Sequence, residues 1–97
     1  MLLYRKSMPQ IDLHGLDRIN ARIVVNEFIN DNYKIGIEEF AIIHGIGEGI
    51  LRKEVKEILK KDKRVIEYCI DCFNFGTTLV RIEKKVDKIS NMRYNNA

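Results

Sequence analysis

The sequence predicts an α/β domain with the element order β-α-β-α-β-β and a mixed four-stranded sheet, on three observations. Two apolar, β-rich runs each end in His-Gly, Ile11-Asp12-Leu13-His14-Gly15 and Phe40-Ala41-Ile42-Ile43-His44-Gly45, with a stretch of helical periodicity between them. That spacing makes a βαβ unit of about the usual length, whose crossover is right-handed by rule. A second helical stretch follows the second His-Gly, and two further strand-like runs joined by a short turn close the chain as an antiparallel pair.

Residues 1–7 have no period and read as an extended lead-in. Residues 8–13 form the first strand, with Pro9 near its start, where a missing N–H does least harm. Gly15 turns the chain. Asp17 is placed to cap a helix whose apolar residues Ile19, Ala21, Val24, Val25, Phe28 and Ile29 recur at helical spacing, running to about Tyr33 with Gly36 as its stop. Residues 39–43 are nearly continuously apolar beyond Glu39, as a central strand should be.

Gly45, Gly47 and Gly49 alternate across the next turn. A helix then runs from Ile50 to about Lys61, with Leu51, Val55, Ile58 and Leu59 as its buried stripe and Arg52, Lys56 and Lys60 along the flank. Residues 65–71 and 77–83 are the closing strands, with Asn74 and Gly76 in the turn between them. The expected domain spans residues 8–85, and residues 86–97 read as a polar, frayed tail.

A chain of 97 residues, 45% hydrophobic and 32% charged, has room for one modest core. No apolar stretch approaches the ~18–20 residues of a membrane span. The N-terminus has its apolar residues before its charges, in a run too short for a signal peptide, so a cytoplasmic setting is expected. The net charge of +3 is unevenly distributed: residues 1–50 carry five Lys/Arg against seven Asp/Glu, and residues 51–97 carry twelve against seven. A polyanion would land on the second half. Cys69 and Cys72 lie in a strand-like run that sends residues three apart to opposite faces, and they read as two reduced thiols rather than as a zinc or redox pair.

The chemistry gathers at the two His-Gly turns. In a parallel pair both imidazoles leave the carboxyl ends of the strands, the edge where open α/β sheets place ligands. The glycine turn at residues 45–49 leads into a helix start, where free N–H groups and the positive end of the helix dipole receive phosphate. It lacks the G-x-G-x-x-G spacing and the Lys-Ser/Thr ending of the nucleotide-binding loops. An imidazole exchanges protons near neutral pH, and Asp12, two residues before His14 on the same side of the strand, is placed to orient it or to accept a proton. Asp12, His14 and His44 make only a partial metal set, so no tightly held metal is expected, with a loosely recruited divalent cation such as Mg or Mn left open.

Asp12-Leu13-His14-Gly15, about thirty residues before His44-Gly45-Ile46-Gly47 and followed by Gly49-Ile50-Leu51-Arg52, resembles the Smr (small MutS-related) domain, and residues 76–80 resemble that family's closing strand. The resemblance covers roughly residues 10–84. It implies a two-layer βαβαββ sandwich similar to the C-terminal domain of bacterial translation initiation factor three. It also implies an endonuclease acting on DNA or RNA, with the ribosome or a MutS-like protein as candidate partners, in settings such as DNA repair and recombination or stalled ribosomes. Carried over, Asp12 and His14 occupy the family's Asp-x-His, His44, Gly45 and Gly47 its His-Gly-x-Gly, and Arg52 its basic residue at the helix start. The chain departs from the family at Ile46 and Glu48, which remove one cation and add one anion at the phosphate cradle.

The reading that follows is a nuclease with Asp12, His14 and His44 at its catalytic centre: His14 acts as general acid or base, Asp12 supports it, and His44 assists or positions the phosphate. Gly45, Gly47, Gly49 and Arg52 hold the phosphate, and Lys53, Lys56, Lys60, Lys63 and Arg64 add salt-dependent affinity for the backbone. RNA is preferred slightly, because its 2′-hydroxyl supplies an internal nucleophile. A non-catalytic module binding nucleic acid or the ribosome is the alternative on the same fold. Phe73 and Phe75 are expected in core or edge packing, with base stacking as the alternative.

Overall fold

The structure, a computed structural model, describes residues 2–85; the predicted tail at residues 86–97 lies outside them. Six elements follow in the expected order: β1 (Gln10–Asp12), α1 (Arg18–Lys34), β2 (Glu39–Ile43), α2 (Ile50–Lys61), β3 (Val65–Asp71) and β4 (Asn74–Ile82). The sheet order is β1-β2-β4-β3, with β1 parallel to β2 and the other pairs antiparallel. The predicted mixed α+β sandwich is the observed fold. Among the described residues no helix is long and apolar enough to cross a membrane.

Local chemistry explains the boundaries. Asp17 caps α1, its Oδ1 accepting from the Asn20 amide at 2.7 Å. The buried stripe of α1 is Ala21, Val25, Ile29 and Asn32, and the Asn32 side chain donates to the Phe28 carbonyl at 2.8 Å. β1 is shorter than its apolar run, because Pro9 has no N–H and pairs only through its carbonyl, which accepts from Ala41.

Alternation along the central strands separates two faces. Phe40, Ile42, Val80 and Ile82 pack with Leu13 against Val25 and Ile29 of α1 and Val55 and Leu59 of α2, and all are essentially inaccessible to solvent. Each of these larger side chains contributes about 2 kcal/mol by its burial. Phe28 meets Phe40 edge-on with centroids 5.2 Å apart. On the opposite face Ala41 and Leu79 are covered by Leu2 and Met8, so the lead-in folds back as a strap across the sheet.

The closing hairpin differs from expectation in its turn. Asp71 pairs directly with Asn74, leaving Cys72 and Phe73 as the two turn residues, and the β3–β4 register shifts between Ile70 and Asp71. Because β4 runs antiparallel to β2, this hairpin tip lies on the edge where β1 and β2 end. One edge of the sheet therefore carries both His-Gly turns, the start of α2 and the hairpin tip.

Candidate functional site

The two histidines occupy opposite environments on that edge. Leu13 donates to the Ile43 carbonyl at 2.8 Å, which continues the β1–β2 ladder and sets the turn at His14 about one strand spacing, roughly 5 Å, from the turn at Gly45. His14 is exposed, and its ring makes no hydrogen bond among the described residues. The Asp12 carboxylate accepts from the His14 backbone N–H at 2.8 Å. Asp12 thus fixes the turn that presents His14 by holding its backbone, and its observed contact is not with the imidazole.

His44 is 7% exposed, with both ring nitrogens engaged. Nδ1 lies 2.8 Å from the Gly45 carbonyl, which can only accept, so Nδ1 carries the proton. Nε2 is then the acceptor for the Thr78 hydroxyl, also at 2.8 Å. Burial holds the His44 pKa below its ordinary value, opposed by the Gly45 hydrogen bond and reinforced by the nearby Arg52 charge. The neutral form of this imidazole is favoured, and both of its nitrogens hold the local fold. The ring ties the glycine turn to β4, through Gly45 on one nitrogen and Thr78 on the other.

The glycine turn is fastened a second time by its backbone. The amides of His44 and Gly45 both donate to the Gly76 carbonyl at 2.9 Å. A Cβ on Gly76 would lie 3.2 Å from the Gly45 backbone, so a side chain there would push the two turns apart by a few tenths of an ångström. Gly49 is the N-cap of α2 with φ +80°, and no side chain caps the helix. The first turn of α2 carries no acidic residue, and Arg52 occupies it instead, its guanidinium 3.5 Å from where a Gly49 Cβ would sit. A cation at the positive pole of a helix is unfavourable by several tenths of a kcal/mol or more unless an anion joins it. Free N–H groups and a guanidinium that converge in this way suit a phosphate.

Gly47 has neither a positive φ nor any atom within 4 Å of a Cβ. Folding makes no demand for glycine there, and its bare backbone leaves room for a ligand.

From this turn an open groove of about 560 Å³ runs between α2 and the strands, lined by Glu48, Gly49, Arg52, Lys53 and Lys56 on one wall and by Tyr68, Cys69, Ile70 and Thr78 on the other. Arg52, Lys53 and Lys56 belong to it; Lys60, Lys63 and Arg64 do not. Twelve helical residues span about 18 Å, so Lys60 and the residues beyond α2 lie at the far end of the domain. Arg64 is also engaged, paired with Asp62 at 2.8 Å, bonded to Asn30 at 2.7 Å and set over the Tyr33 ring at 5.3 Å. Its task is to join the α2–β3 corner to α1.

Cys69 and Cys72 are free and exposed. Burial, with Glu67 and Asp71 nearby, pushes the Cys69 thiol up and away from the thiolate. Among the described residues no group of three or more His, Cys, Asp or Glu is placed to hold a metal.

Residues 11–83 match the Smr domain family. The chain belongs to this family. Similar proteins include the endonuclease MutS2 of Clostridium kluyveri, 37% identical over 78 residues, and that of Symbiobacterium thermophilum, 42% identical over 80 residues. These alignments cover 80% and 82% of the chain and 10% of each relative, so the chain spans about a tenth of the length of the MutS2 proteins it matches. The crystal structure of the Smr domain of Thermus thermophilus MutS2 superposes with a TM-score of 0.75 at 28% identity, covering 78% of this chain and 99% of that one. YdaL, a stand-alone small MutS-related protein from Escherichia coli, shares the fold with a TM-score of 0.76 at 24% identity, covering 80% of this chain and 66% of that one. The Smr match includes Asp12, His14, His44 and the whole glycine turn.

Proposed function

We propose that this Smr domain binds nucleic acid along the His-Gly edge and cleaves the phosphodiester backbone, with RNA preferred over DNA. The observation that carries the reading is the pairing on one edge of a free imidazole, His14, with an uncapped helix start bearing Arg52. The name endonuclease borne by the similar MutS2 proteins supports it.

In this mechanism the phosphate rests on the amides at the start of α2 and on Arg52, with the Gly47 backbone against it. The groove cations Lys53 and Lys56 carry the flanking phosphates. On RNA the 2′-oxygen loses its proton and bonds to phosphorus as the bond to the 5′-oxygen breaks and that oxygen takes up a proton. His14 acts as acid or base in this exchange. Donors at the helix start and Arg52 stabilise the added charge on the phosphoryl oxygens. Asp12 and His44 keep the two turns in register, Asp12 through the His14 amide and His44 through Gly45 and Thr78.

The test is incubation of labelled RNA and sequence-matched DNA with wild-type and His14→Ala protein, with and without a chelator. RNA cleavage by the wild type and its loss in the variant, with binding retained, are expected. DNA nicked as fast as RNA would overturn the RNA preference. A wild-type protein that binds both and cuts neither would leave a non-catalytic binding module.

A further inference from the structure

Phe73 and Phe75 are 91% and 61% exposed, against their expected place in the core or at an edge. Polar side chains hold the backbone beneath both rings. The carboxylate of buried Asp71 accepts from the Phe73 amide at 3.1 Å, and the Asn74 side-chain Oδ1 accepts from the Gly76 amide at 3.0 Å, bracketing Phe75. Such local turns fix a short hairpin firmly. The hairpin is also joined to the glycine turn, through the paired amide bonds onto the Gly76 carbonyl and the close packing of Gly76 on Gly45. Phe75 is the residue next to Gly76, so its Cα lies about 3.8 Å from that junction.

We propose that the hairpin tip is a stacking platform for unpaired bases of the strand whose phosphate rests at the start of α2. The inference builds on the phosphate reading above and adds the substrate class, single-stranded or locally unpaired nucleic acid. In a duplex the faces of the bases are covered by their neighbours and unstacking them costs free energy, so exposed rings near a phosphate site favour bases that are already splayed out. The charge next to the platform selects this occupant over an apolar protein surface. Arg52, Lys53 and Lys56 line a groove that reaches Ile70 and Thr78 of the same hairpin, and none of them forms an ion pair among the described residues. The rings also stand exposed at a two-residue turn, which suits stacking on a base rather than reception of a partner's side chain.

The test measures affinity of the whole chain for three probes: a single-stranded oligonucleotide, the same strand with abasic sites at its centre, and its duplex. Wild type, Phe73→Ala, Phe75→Ala and the corresponding Leu variants are compared. The platform predicts a loss of about tenfold per ring for the intact single strand, no change for the abasic strand or the duplex, and the same loss with Leu as with Ala. If Leu restores the affinity, the rings act as an apolar contact and stacking is overturned. Should wild type bind intact and abasic strands equally and the variants keep that affinity, the platform fails while the phosphate site stands. Absence of nucleic-acid binding by the wild type would remove both.

Discussion

His14 and His44 are the same side chain in positions that allow different work, and the difference can be measured. His14 is exposed, with a free ring, on a turn fixed by Asp12, so His14→Ala is expected to leave stability within about 0.5 kcal/mol of wild type while cleavage falls by about a hundredfold or more. For His44 the consequence is in folding. Its native pKa lies below the ordinary 6.5, so in the window beneath 6.5 the unfolded state binds more protons than the native state, and stability rises with pH. The contribution is complete above pH 6.5 and is lost as pH falls toward the native value. Urea denaturation between pH 5 and 7.5 is expected to show this loss in the wild type and a flatter profile in His44→Gln. A third residue separates folding from binding. Gly47→Ala is expected to leave stability unchanged or slightly raised, because neither backbone nor space demands glycine there, and to weaken nucleic-acid binding severalfold.

At the scale of elements, α2 divides into a working end and a structural end. Lys56→Ala is expected to reduce the slope of log affinity against log salt by about 0.9, and Lys60→Ala to leave it unchanged, since only Lys56 lines the groove. A salt titration of the two variants checks this, and equal slopes would mean that the nucleic acid follows the whole helix. The buried and basic rows of α2 were legible in the sequence because a 3.6-residue period reports burial along one element. The division of labour along its length was not, because it depends on what each turn of the helix faces across space. Arg64 reads as one more cation until Asp62, Asn30 and Tyr33 close around it. His44 shows nothing in the sequence of its bond to Thr78, thirty-four residues away, which engages its second nitrogen. The hairpin turn was hidden by Phe73, since an apolar residue is an unusual choice for a two-residue turn. The signal available was Asp71 and Asn74, each a residue that bonds the backbone two positions on.

For the whole molecule, the sheet works as a ruler that brings distant turns to one edge. The parallel β1–β2 pair sets His14 beside Gly45, and the antiparallel β4 brings Gly76 and the aromatic tip to the same edge. The place of β4 beside β2 is visible only in the sheet register. The shared edge of the two His-Gly turns followed from element order, because a βαβ unit has one hand. The strap over the opposite face did not, as Leu2 and Met8 sit in a segment without a period, and only Ala41 and Leu79 reveal what they cover. Met8→Ala is expected to cost about 2 kcal/mol in thermal or urea denaturation and to leave cleavage unchanged below the melting transition. The proposal that this edge cuts RNA by histidine chemistry is tested most directly by the ends it leaves. Mass spectrometry of a short RNA cut by the wild type is expected to show 2′,3′-cyclic phosphate and 5′-hydroxyl ends that are absent with His14→Ala. Ends bearing 5′-phosphate and 3′-hydroxyl, or cyclic ends formed equally well by His14→Ala, would contradict it.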